Sequence, residues 1–185
     1  IVVIRSDTNS EQAFPTLEAA CAVAQDGSVI ELRYNGARTE SPLRIRNKIT
    51  IRGAKGFRPV VEFVPKEIPA AGYETRMVTL SGGGAVDLVD VSFILNVKAA
   101  IAADAWVLVS TQRADAVRMQ RILVTVNNTA KRPAAVVEFR GGTNRMMADM
   151  EMMTTSQMSN QLTVRVADSL IRGGTDLFHA KAILS

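Results

Sequence analysis

The amino-acid sequence predicts an all-β fold: a right-handed parallel β-helix, a solenoid of a few coils with an N-terminal capping α-helix. Three observations carry this expectation. After residue 27 the chain consists of short β-rich runs broken by Gly, Pro, Asn and Asp. Those runs form two sets that recur about every 30 residues, as Val78, Val107 and Val137 show in one set and Val86 and Val117 in the other. Only one stretch has helical periodicity. A parallel α/β sheet would need helical crossovers between its strands, and these are missing.

The helix is expected at 16–25. Leu17, Ala20, Cys21 and Ala24 fall at i, i+3, i+4 and i+7, with Pro15 and Thr16 suited to its start and Gly27 to its end. Its small apolar face is suited to covering an open end of the ladder, where unpaired strand edges invite aggregation.

One strand set comprises "VVEFV" (60–64), "MVTLS" (77–81), "WVLVS" (106–110) and "AVVEFR" (135–140). Its alignment predicts an inward column of Phe63, Leu80, Val109 and Phe139, and a second of Val60, Met77, Trp106 and Val136. The other set comprises "ITIRG" (49–53), "VDLVD" (86–90), "VRMQR" (117–121) and "VRVAD" (164–168). It places Ile51, Leu88, Met119 and Val166 inside, and Thr50, Asp87, Arg118 and Arg165 outside. Asp90, Arg121 and Asp168 alternate in sign along a neighbouring column, an arrangement that helps to fix register.

With 185 residues, 47% apolar and 22% charged, the chain reads as one folded domain, 1–185, belonging to a longer protein. No apolar run approaches the roughly 20 residues that cross a bilayer, although the parent protein could be membrane-tethered. The net charge of +4 is spread singly, and the nine aromatic residues do not interleave with basic ones, which argues against a nucleic-acid partner. A lone Cys21 excludes an internal disulfide.

The phrase "TLEAACAVAQDGSVIEL", followed by "YNG" and "PLRIRNKITIRGAKGFRPVVEF", resembles the opening of pectin-lyase-like right-handed parallel β-helix proteins. The resemblance is clearest over residues 14–64 and continues as pattern to about 175. The chain is also similar to β-helical segments attached to some bacterial serine/threonine kinases. This resemblance implies a fold that hosts lyases, hydrolases, adhesins and binding domains alike. It also implies an extracytoplasmic or cell-surface setting in a bacterial protein.

The candidate ligand-binding residues are Asp87, Asp90, Arg118, Arg121, Arg165 and Asp168. Hydrolysis of a glycoside needs one protonated and one ionised carboxyl group. Here Arg118 and Arg121 neighbour Asp87 and Asp90 and would hold both ionised. A lyase centre would need Ca²⁺ with six to eight oxygen ligands, and Asp87, Asp90 and Asp168 supply too few. The sequence therefore favours a non-catalytic recognition or scaffold domain, without a cofactor, that binds carbohydrate or a protein partner. A lyase or hydrolase acting on an acidic polysaccharide is the alternative.

Other features yield to simpler readings. His179 has no His or Cys neighbour and is expected at a strand edge. Cys21 reads as a packed thiol. The Gly-rich stretches at 81–86, 140–144 and 172–176 lack a following Lys-Ser/Thr and read as tight turns. The segment 144–161 holds six of the eight methionines. An insertion folded onto the ladder wall is the first reading, a partner surface the second, and a Cu(I) site a distant third.

Overall fold

The structure is a computed structural model that describes residues 1–111, 116–141 and 163–182. The Met-rich segment 144–161 lies outside the described residues. In chain order the elements are β1 (Val2–Ile4), β2 (Glu11–Ala13), α1 (Leu17–Val23), β3 (Val29–Leu32), β4 (Gly36–Glu40), β5 (Leu43–Ile45) and β6 (Lys48–Gly53). There follow β7 (Pro59–Phe63), β8 (Lys66–Ile68), β9 (Gly72–Glu74), β10 (Arg76–Leu80), β11 (Ala85–Val89), β12 (Ser92–Asn96) and β13 (Trp106–Thr111). The last are β14 (Ala116–Gln120), β15 (Leu123–Asn127), β16 (Ala134–Gly141), β17 (Thr163–Ala167), β18 (Leu170–Gly173) and β19 (Asp176–Ala182).

These strands form four sheets. Sheet I has seven strands in the order β17-β14-β11-β6-β3-β1-β2, sheet II five in the order β19-β16-β13-β10-β5, and sheet III five in the order β18-β15-β12-β7-β4. The fourth is the two-stranded antiparallel ribbon β8-β9. Sheets II and III are parallel throughout, whereas β1 runs antiparallel to both β2 and β3 and makes sheet I mixed.

This topology corrects the expected right-handed parallel β-helix. The molecule is mostly β with one short helix, but its strands lie in several separate sheets, one mixed and one an antiparallel ribbon. The physical reason lies in residues 1–13 and 66–74, whose short strands close locally on their neighbours instead of continuing a repeat.

Helix α1 is shorter than its periodicity suggests. Thr16 caps it, accepting a hydrogen bond from the Ala19 amide at 3.1 Å, and Leu17 and Ala20 are buried. After Val23 the chain turns extended at Ala24, and Gly27 takes φ +79°. The helix packs against β5. Cys21 packs against the core, and burial pushes its thiol up to about 12, so it stays protonated and unreactive at neutral pH.

The register bears out one set of columns and corrects the other. Leu88 aligns with Ile51 and Met119, and Met119 with Val166. The first three are buried, while Val166 is 40% exposed on the outermost strand of sheet I. The column of Phe63, Leu80, Val109 and Phe139 does not form. Phe63 lies in sheet III opposite Leu95 and Glu40, Leu80 aligns with Ile45, and Val109 with Val78 and Val137. The column of Val60, Met77, Trp106 and Val136 fails as well, because Val60 pairs with Ser92 and Trp106 with Ala134. The residues "VVEFV" belong to a third strand set, with "SFILN" (92–96) and "LVTVN" (123–127), that alternates apolar and polar in the same way. Identical alternation cannot say which sheet a strand joins.

Gly53, at the end of β6, marks a close approach of two chain segments. A Cβ there would sit 2.3 Å from the carbonyl oxygen of Asp90 and 3.2 Å from Pro59 Cδ. Gly53→Ala is expected to push the Asp90 turn away and to lower stability by about 1–3 kcal/mol, the usual cost of overpacking. Urea unfolding of the variant measures this, and an unchanged midpoint would show that the turn moves freely.

Candidate functional site

Where sheet I gives way to sheet III, three turns lie one above another. Each leads from a strand of the first into a strand of the second: β11 to β12 through Asp90, β14 to β15 through Arg121, and β17 to β18 through Asp168. All three residues adopt the left-handed conformation, with φ of 55°, 51° and 50°. That region favours glycine and tolerates aspartate, but an arginine there carries backbone strain. The turns are pinned by hydrogen bonds from the Asp90 amide to the Gln120 carbonyl and from the Arg121 amide to the Ala167 carbonyl, both 3.1 Å. Ser169 secures the third, accepting from the Ile122 amide at 3.2 Å and donating to the Ala167 carbonyl at 2.7 Å.

The stacked turns line an open groove of about 700 Å³. Asp90, Arg121 and Asp168 supply its charge, Ser92 and Ser169 its hydroxyls, and Leu123 and Leu170 its apolar side. Phe57 and Arg58 stand at one end. A second hollow of about 500 Å³, lined by Arg52, Lys55 and Phe57 among others, shares Phe57 and Asp90 with the first. The two hollows adjoin at Phe57 and Asp90.

Arg121 donates in parallel to both oxygens of Asp90, Nε and Nη2 each at 2.7 Å. This hydrogen-bonded pair holds the Asp90 carboxyl below the usual carboxylate range and pushes the arginine further up, with Asp168 adding to the second effect. An acid held ionised in this way cannot protonate a leaving group at neutral pH. Around the second hollow, burial of Glu31 works against its ionisation. Hydrogen bonds from Arg52 and Arg33 outweigh that, so its carboxyl also lies low.

The six residues singled out in the sequence divide into two groups. Asp90, Arg121 and Asp168 share the groove. Asp87, Arg118 and Arg165 align across β11, β14 and β17 as expected, but stand on the open wall of sheet I outside it. Arg118 reaches Asp87 at 3.3 Å, with both side chains about a third or more exposed. Arg165 makes no ion pair among the described residues. His179 lies on β19, the outermost strand of sheet II, opposite Glu138. Among the described residues no group of three or more His, Cys, Asp or Glu is placed to hold a metal ion. No helix among them is long and apolar enough to cross a membrane.

Sequence reasoning missed two features. One is the Phe57 loop, whose exposed aromatic residue lines both hollows. The other is an ionic network in sheet II. Arg76 binds Glu138 at 2.7 Å and Asp104 at 3.0 Å, and Ser110 donates to Glu138 at 2.9 Å. Its signal was present in the polar residues Thr79, Ser110, Glu138 and His179, which share one register position.

No family model matches this chain, and no curated protein or solved structure matches it significantly. Fold and groove together define a mostly β protein with a polar, strand-spaced groove between two sheets, and its function is argued from that geometry.

Proposed function

We propose that the chain is a non-catalytic recognition module that binds carbohydrate along the groove of Asp90, Arg121 and Asp168. The observation that supports this reading most is the stacking of three left-handed turns, which sets Asp90, Arg121 and Asp168 one above another. Aspartate tolerates that conformation, but holding Arg121 in it costs of order 1 kcal/mol or more, and such strain gathers at ligand sites. Its product is a row of charged groups at strand spacing, about 4.8 Å. Asp90 and Arg121 bind each other while each side chain stays about half exposed, beside the apolar side chains of Leu123, Leu170 and Phe57. Charged and planar groups that form paired hydrogen bonds suit sugar hydroxyls, and an aromatic ring suits the apolar face of a sugar. A repeating row suits a polymer better than a single small molecule. The ion pair at Asp90 speaks against hydrolysis.

Affinity electrophoresis through gels containing dextran, laminarin or polygalacturonate tests the proposal. The wild-type chain is expected to be retarded by at least one of them. Asp168→Ala and Arg121→Gly should migrate freely, and Arg118→Ala should still be retarded. Because Arg121→Gly also relieves the strained turn, its Tm should move by no more than about 4 °C. Unretarded migration of the wild type in every gel, or release of new sugar ends, would overturn the proposal.

A further inference from the structure

A separate hollow of about 400 Å³ lies between α1, β5, β10 and the β8-β9 ribbon and shares no lining residue with the groove. Its floor is apolar, formed by Ala22, Pro42, Leu43 and Ile68. Its volume is that of a small-molecule site, and its exposed lining is mainly apolar surface, ringed by six polar or charged residues among the ten that line it. At its mouth stand Arg44 and Lys66, faced by Glu74 and Glu18.

The charged groups there are not equally engaged. Arg76 is fully used, since its guanidinium hydrogen-bonds both Glu138 and Asp104. Lys66 reaches Glu18 at 3.3 Å. Arg44 differs: it approaches Glu74 only to 3.6 Å, beyond hydrogen-bond distance, and its side chain is 73% exposed. Among the described residues it makes no hydrogen bond. Its planar fork of donors matches a carboxylate and stands beside an apolar floor.

We propose that this hollow binds a small amphipathic monocarboxylate, with its hydrocarbon part on Leu43 and Ile68 and its carboxylate on Arg44. Glu74 is the group displaced from Arg44: its contact there is loose, and its other oxygen keeps its hydrogen bond from the Arg76 amide at 3.3 Å. The ligand is thereby distinguished from an alcohol of the same shape, which cannot form the paired charged contact.

Titration calorimetry with hexanoate and with hexanol tests this on the whole chain. Hexanoate is expected to bind saturably, and hexanol about tenfold or more weaker. Arg44→Gln should abolish that preference. Ile68→Trp, on the surface ribbon, should block both ligands by filling the hollow, while Arg118→Ala on the open wall should bind as the wild type does. Far-ultraviolet circular dichroism checks that each variant is folded. Equal binding of acid and alcohol, an Arg44→Gln variant that keeps the preference, or no saturable heat with hexanoate would each overturn the proposal.

Discussion

Arg76→Met is expected to lower the stability of the chain by about 3–5 kcal/mol, far more than loss of any surface ion pair. Glu138 is fully buried, and its carboxylate is held by Nε and Nη2 of Arg76 at 2.7 and 2.9 Å and by Ser110 at 2.9 Å. Removing the arginine leaves a buried charge with one hydroxyl partner. The cost comes from that stranded charge, so Arg76→Met combined with Glu138→Leu should recover most of the loss. Urea unfolding of both variants measures the difference. A double variant no more stable than the single one would show that packing, not charge, holds the network together.

The same network sets a pH dependence. Burial works against ionisation of Glu138, but the hydrogen bonds from Arg76 and Ser110 win and place its carboxyl below the ordinary value. A depressed carboxylate contributes stability above its unfolded pKa of about 4.3, and that stability is lost as pH falls through the folded value. In Arg76→Met the sign reverses, because an unpaired buried carboxylate prefers its proton. The deficit of the variant should therefore shrink between pH 7 and pH 4. A deficit constant across that range would place the effect elsewhere.

The second large effect is expected at Phe93. Its ring stacks on that of Phe63 with centroids 6.2 Å apart and planes within 3°, and both side chains are about 1% exposed. Phe93 aligns with Val61 and Val124 in sheet III, while Phe63 aligns with Leu95. Phe93→Ala removes the stack and leaves a void that flanking strands, fixed by their ladders, cannot close. The expected loss is about 3–5 kcal/mol, or about 10 °C in Tm. Phe93→Leu should cost well under half of this. If thermal unfolding shows equal losses for both, the specific contact with Phe63 matters more than the volume.

Much of sheet I was legible in the sequence. Ile51, Leu88, Met119, Asp87 and Arg118 repeat at one offset, and the structure pairs them in that register. The partner strands were harder to assign. Alternation in "VVEFV" and "MVTLS" alike puts Phe63 beside Leu80, but alternation reports which face is buried without naming the neighbouring strand. The short strands β1, β2, β8 and β9 have no repeat to announce them, and they make the architecture mixed. Charge alternation brought Asp90, Arg121 and Asp168 together correctly. What it could not show was their shared left-handed backbone, since aspartate and arginine at a turn do not declare φ as glycine does. The Arg76 network was hidden for another reason: Arg76 reaches Glu138 across 62 positions of sequence, and only strand pairing brings them together.

Whether the stacked turns form the recognition surface can be read residue by residue by nuclear magnetic resonance. Amide shifts of the ¹⁵N-labelled chain would be followed while a polysaccharide that retards it is added. Changes are expected at Phe57, Asp90, Arg121, Asp168 and Leu170, with the wall residues Asp87, Arg118 and Arg165 unmoved. Changes centred on the wall with a silent groove would contradict a recognition role for the turns.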